Sequence, residues 1–235
     1  MIACAVPHTS ANDRLFLRTA RSLTMVVVGV ALFAGCRVAI AQAAPKPPEL
    51  KLSVVVAPLY PMGAAAKAWG DALNDGAKGS FTVKFFPGAQ LAEHNATQEF
   101  RALQAGAIDL GVGSALQWSD AFAPLAVIAL PWIAPSNREL AAVVSDADVK
   151  AQLTAALDAA GVTLVAIAPL RHRELSTQSK VIASPEDLKG LRVRVRDARL
   201  VADTYVALGA LPTGLSLADA QAGFATGTLD GQDTA

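Results

Sequence analysis

Apolar residues along this chain come in two rhythms. "LSVVVA", Leu52 to Ala57, is a short unbroken apolar run and reads as a buried parallel strand. Met62, Ala65, Trp69 and Leu73 then recur at helical spacing, with Lys67, Asp71 and Asn74 on the opposite face. "FTVKFF", Phe81 to Phe86, is a second strand stopped by Pro87 and Gly88. A helix follows over 94–105 with Phe100 and Leu103 inward, and "IDLGVGS", Ile108 to Ser114, is a third strand. Two helical stretches cover 137–160, with Val149, Leu153 and Leu157 on one face, and "VTLVAIA", Val162 to Ala168, is another buried strand. Strand–helix alternation of this kind predicts a right-handed parallel sheet covered by helices.

Beyond residue 170 the pattern changes. In "SPEDLKGLRVRVR", Ser184 to Arg196, Ser184 reads as an N-cap, Pro185 as the first helical residue, and Gly190 as the exit into a strand. There Arg192, Arg194 and Arg196 alternate with Val193 and Val195, so a strand presents the arginines on one face and the valines on the other. Over 171–199, eight Lys or Arg stand against four Asp or Glu. Guanidinium groups held on a strand suit carboxylate recognition, because the planar fork makes two parallel hydrogen bonds. A solvated, arginine-rich edge strand is the plain alternative.

At 235 residues and 53% hydrophobic content, the chain can bury a sizeable core. The first 44 residues are expected to lie outside it. Arg14, Arg18 and Arg21 precede an apolar run from Leu23 to Phe33, and small residues follow, which is the order of a secretory signal peptide over 1–43. "AIAQAA" offers cuts after Ala41 or Ala43, Cys36 in "LFAGC" is a lesser lipid-anchor candidate, and a later true start is an open alternative. Both cysteines, Cys4 and Cys36, fall in this leader, so the remainder needs no disulfide. The leader also takes four arginines and one aspartate, leaving 16 basic against 19 acidic residues, a net of −3. That balance argues against nucleic-acid binding.

In open α/β sheets ligands bind beyond the carboxyl ends of the strands. The residues there are 57–60, 113–118, 170–173 and 194 onward, and Ser114 and Gln117 stand where they can donate hydrogen bonds. The solitary histidines His94 and His172 read as surface or helix-start residues, and Trp118 and Trp132 as packing residues. Glu93 either faces the cleft or caps its helix, and Asp230 reads as a turn-holding residue. No phosphate loop, nucleophile elbow or Cys/His cluster appears, and Gly111 with Gly113 is only a fragment of a dinucleotide fingerprint. No catalytic residue, cofactor or metal ligand is therefore expected.

Three motifs in order, "PEDLKGLRVRV", "ADTYVALGALPT" and "TGTLDGQD", together with "PGAQL", "ALQAGAIDL" and "ALPW", resemble the DctP family. These are periplasmic solute-binding proteins of tripartite ATP-independent (TRAP) transporters. The resemblance runs from Lys51 to the end of the chain. It implies a two-lobed α/β fold, with 44–170 as the first lobe and 171–235 as the start of a second, incomplete lobe of a C-terminally truncated chain. "RELSTQSKVI" is similar to the family's "RQFTNSKRPI", which makes Arg173 a ligand-contacting arginine and Arg194 the one that grips a carboxylate. Arg192 and Arg196 fall where the family usually has Lys and Pro, and read as flanking charges. Leu217 stands where an aromatic floor is common, Gly214 and Ser216 replace prolines, and Thr234 follows Asp233 where an asparagine is frequent. The expected ligand set is Arg194, Arg173, Ser114, Gln117, Leu217, Asp233 and Thr234.

The function implied is a monomeric periplasmic receptor that captures a small organic acid and delivers it to a TRAP membrane permease. The rival from another class is a secreted α/β enzyme holding an anionic substrate with the arginines. A module that docks another protein through the arginine patch is a third reading.

Overall fold

The computed structural model describes residues 1–6 and 46–234. Two sheets organise the chain. The first has five strands, in the order 82–87, 49–54, 110–113, 2–5 and 163–167, and the second four, in the order 174–177, 231–234, 192–195 and 211–214. In the first sheet β2 (Glu49–Val54) runs parallel to both β3 (Thr82–Pro87) and β4 (Leu110–Gly113). The connections are α1 (Pro61–Ala77) and α2 (Ala96–Gln104), so the strand–helix alternation becomes crossover units as expected. The second sheet places β7 (Arg192–Val195) between parallel neighbours β8 (Leu211–Gly214) and β9 (Gly231–Thr234), with β6 (Glu174–Thr177) antiparallel at the edge.

The expectation that the first 44 residues lie outside the core is corrected for β1 (Ile2–Ala5). This strand runs antiparallel to β4 on one side and to β5 (Thr163–Ile167) on the other, and buries Ile2 and Cys4. Its α-amino group donates to Ala168 O at 2.9 Å. Burial pushes the Cys4 thiol up to about 12. The rest of the expected leader, with Cys36 and both cleavage positions, lies outside the described residues. Strand β5 is also less buried than its sequence suggests. It is the sheet edge, and Val165 is half exposed.

Glycines set the close approaches in the first sheet. A Cβ on Gly63 would lie 2.2 Å from Ala57 O, so only glycine lets α1 start against that loop. A Cβ on Gly113 would lie 2.1 Å from the Trp118 ring. Gly111 and Gly113 are thus explained by packing rather than by a nucleotide. Trp118 is fully buried in α3 (Ala115–Trp118), with Phe100 at 5.2 Å between ring centroids.

Helix α1 turns slightly from its sequence reading. Met62, Gly63, Ala66 and Gly70 form the buried stripe, and Trp69 is half buried. Asn74, exposed as expected, also clamps β3 by donating to Val83 O at 3.0 Å and accepting from Val83 N at 2.6 Å. Helices α4 (Asn137–Ser145) and α5 (Ala147–Ala159) carry the chain to β5, with Leu153 and Leu157 buried.

The two sheets are tied by a few specific contacts. Leu116, from the first, packs in the core of the second with Leu188, Leu191, Val193 and Val195. Asp120 accepts from the backbone N–H of Arg199, at the start of α6 (Arg199–Ala207). His172 bridges Ala134 O and Asn137 Oδ1 at 2.8 and 2.9 Å.

Candidate ligand site

Strand β7 positions the site. Val193 and Val195 are fully buried on its core side, as the alternation requires, and this fixes where the arginines project. The strand is entered through the "SPEDL" turn, where Asp187 accepts from the backbone N–H of Ala183 at 3.0 Å and of Ser184 at 2.9 Å. Gly190 then adopts φ 70°, a left-handed conformation that releases the chain into β7.

The three arginines, expected as one carboxylate anchor between two flanking charges, have separate environments. Arg192 is a structural residue. Its backbone N–H and Nε each donate to Asp230 Oδ2 at 2.9 Å, and its Nη2 meets Asp230 Oδ1 at 2.6 Å. This fork joins β7 to the entry of β9 and holds the Asp230 carboxyl down at about 2. Arg194 is only 4% exposed, and its single hydrogen bond among the described residues runs from Nε to Leu215 O at 2.9 Å. Burial, then the neighbouring Arg173, holds its guanidinium below the ordinary value, with Asp233 acting the other way. Arg196 is half buried and has no hydrogen bond or ion pair among the described residues.

Asp233 organises the opposite side. It is 6% exposed on β9, forms an ion pair with Arg173, and accepts from Tyr205 Oη at 3.0 Å. Arg173 also donates to Asp233 O at 3.3 Å, while its buried Nε has no partner among the described residues. Desolvation and the adjacent Asp233 push the Tyr205 hydroxyl above its usual value, so it stays a donor. The carboxylate expected to contact ligand is therefore occupied in orienting Arg173, a role that sequence order does not reveal.

Around this group lies an apolar cavity of about 560 Å³ between the two sheets. Ser114, Arg173, Tyr205 and Asp233 contribute to its wall, with Trp132 and Leu116 among the apolar lining. Trp132, expected to pack, is 76% exposed. Gln117 is buried in α3, and Thr234 closes β9 against Glu174. The structure thus brings Ser114, Arg173 and Asp233 to one wall and leaves Arg194, Gln117 and Thr234 off it; the Leu217 side chain lies outside the described residues. Glu93 is exposed and caps nothing; Asn95 caps α2 by accepting from Gln98 N at 3.0 Å. No group of three or more His, Cys, Asp or Glu among the described residues can hold a metal. No described helix is long and apolar enough to cross a membrane.

A family model for bacterial extracellular solute-binding proteins, family 7, named DctP, matches residues 52–235. The chain belongs to the DctP family. Among its relatives, the C4-dicarboxylate-binding periplasmic protein DctP of Rhodobacter capsulatus is 27% identical over 193 residues, 80% of this chain and 56% of that protein. The 2,3-diketo-L-gulonate-binding periplasmic protein YiaO of Escherichia coli is 25% identical over 173 residues, 72% of this chain and 51% of that protein. Among solved structures, a TRAP periplasmic solute-binding protein from Ralstonia eutropha H16, with bound (S)-2-acetolactate, is 37% identical. It superposes with a TM-score of 0.70, over 79% of this chain and 59% of that one. The chain spans about half the length of the curated relatives it matches. The two-lobed α/β architecture is that of the DctP fold, and the family consists of receptors rather than enzymes.

Proposed function

We propose that this DctP-family chain is the solute-capturing component of a TRAP transporter, and that it holds a small organic acid by its carboxylate and presents it to a membrane permease from the periplasm. The carrying observation is Arg194: a deeply buried guanidinium on a rigid strand whose only hydrogen bond among the described residues engages Nε, leaving the Nη groups to form a fork with a ligand. A buried cation with no ion pair of its own is costly unless something pairs with it, and a ligand carboxylate is the natural partner. The R. eutropha neighbour, with a 2-hydroxy-3-oxo acid bound, supports the same ligand class. Arg173, oriented by Asp233, stands beside Arg194 as the second contact. Closure of the two lobes is a population shift toward the state that touches ligand from both sides.

Calorimetric titration with small carboxylic acids tests this. Arg194→Ala leaves the bound carboxylate desolvated and unpaired, and should weaken binding by roughly 2–5 kcal/mol. Arg194→Lys should also bind poorly, since a point charge cannot reproduce the fork. Arg192→Ala should change affinity by less than ~1 kcal/mol, because that side chain is spent on Asp230 and partly exposed. Equal losses in all three would make the arginines a diffuse patch and overturn the proposal.

A further inference from the structure

Strand β1 enters the first sheet unlike its other four strands. Those follow one another through residues 49–167, whereas residues 7–45 lie between β1 and β2, and β2 sits on the opposite side of β4. The neighbours of β1 come from residues 110–113 and 163–167, so no hairpin sets its register. The slot between β4 and β5 does. On one face of the sheet Ile2 and Cys4 lie opposite Gly113 and Gly111, and both pack in the core that holds Trp118 and Phe100. On the other face Ala3 and Ala5 lie opposite Val112 and Leu110, and pack against the core that holds Met62 and Ala66. Bulk on one strand thus meets a smaller residue on the other on both faces. Strand β5 adapts as well: its register slips between Ala3 and Cys4, which leaves Val165 with no partner residue in β1. Beyond the strand, Val6 N–H continues the pairing by donating to Asp109 O at 3.0 Å.

We propose that the slot between β4 and β5 is a strand-binding site in its own right, and that it holds residues 1–6 as an extended peptide without help from the residues that join them to β2. The ligand class is a short apolar peptide in β conformation with small side chains at its third and fifth positions. Backbone hydrogen bonds to two neighbouring strands give affinity, and the alternation of side chains between two closed cores gives selectivity. A large side chain in place of Ala3 would meet Val112 on a face where the slot has room only for a methyl group. None of these contacts needs covalent continuity, which only raises the local concentration of the occupant. The residues concerned are also those whose sequence reads as the start of an export leader cut after Ala41 or Ala43. The site does not rest on the carboxylate reading.

The test keeps the whole chain. A recognition sequence for a specific protease, inserted after Ala43, is cut once the protein has folded, and the nicked protein is passed through gel filtration under reducing conditions. The N-terminal fragment should stay with the remainder, and amide protection at Thr163–Ile167 should match that of the uncut chain. The nicked protein should then exchange its fragment for a Met1–Val6 hexapeptide carrying a fluorophore after Val6, and unlabelled hexapeptide should chase the label out. The same peptide with Ala3→Trp should compete at least about tenfold more weakly. In the whole chain, Ile2→Asp places a charge in a closed apolar core and should let the fragment go on cutting. Retention by that variant would show that some other part of the fragment holds it, and the site would be wrong. Equal competition by the Ala3→Trp peptide overturns it too. So does loss of the fragment from the nicked protein with no uptake of label from a large excess of hexapeptide. Should the Ile2→Asp chain fold poorly, the peptide competition, which needs no substitution in the protein, decides.

Discussion

Glu99 has no exposed surface, and Ser53 Oγ donates to its Oε1 at 2.6 Å. Burial pushes this carboxyl up to about 7, against opposing pulls from Ser53 and the Trp118 indole. A folded-state value above the unfolded one means that stability is complete below about 4.5 and is lost as pH rises through about 7. Between pH 5 and 8 the chain should lose roughly 2–3 kcal/mol, read as a falling urea midpoint. Glu99→Gln should flatten that profile; an unchanged slope in the variant would show that another group controls it. Nothing in the sequence singles out Glu99. Its spacing from Ala96 and Leu103 places it on the buried face of α2, but its charge argues for solvent, and its partner Ser53 is 46 residues away. Alternation put Arg194 on one strand face with Arg192 and Arg196, and only the family resemblance singled it out. The division of labour between Arg192 and Arg196 was not legible, since it depends on where the turn before β9 brings Asp230.

At the level of elements, apolar runs located β2, β3, β4 and β5 to within a few residues, and the alternation of arginine with valine located β7. Local pattern carries no information on which element fills a slot from afar. Strand β1 is the clearest case: four residues at the chain start gain their partners only from β4 and β5. The α3 turn shows the complementary limit. Gly111 and Gly113 read in sequence only as a fragment of a dinucleotide fingerprint, and the Trp118 ring lying against them supplies their reason. Gly113→Ala should therefore cost at least the ~1–3 kcal/mol usual for overpacking, since neither backbone nor indole has room to yield. Combining it with Trp118→Leu should cost less than the sum of the two single changes in a double-mutant cycle. Strict additivity would mean that the indole moves aside freely.

Across the whole molecule the first sheet has five strands and the second four, each of the latter only four residues long. The second sheet leans on the first through Leu116 and through Asp120 at the start of α6. The first sheet depends in turn on β1, which separates β5 from β4. A chain beginning at residue 44 should keep protection of β2 and β4 amides and lose it at Thr163–Ile167, read by hydrogen exchange against the 235-residue chain. Equal protection of β5 in both would show that it is held by α5 alone. The sequence reading of residues 1–43 as an export leader and the seating of residues 2–5 in the sheet thus make opposite demands on one segment, and this comparison separates them.

That seating also imposes a timetable. The bond from the α-amino group to Ala168 O spans 167 positions, which makes it one of the most non-local contacts in the molecule. Synthesis at about 5–20 residues per second means that β5 follows β1 from the ribosome by roughly 8–30 s. Until then the slot has only one wall. For that interval residues 2–5 are an apolar segment without one of their two strand partners. The sheet can claim them only after most of the chain has been made.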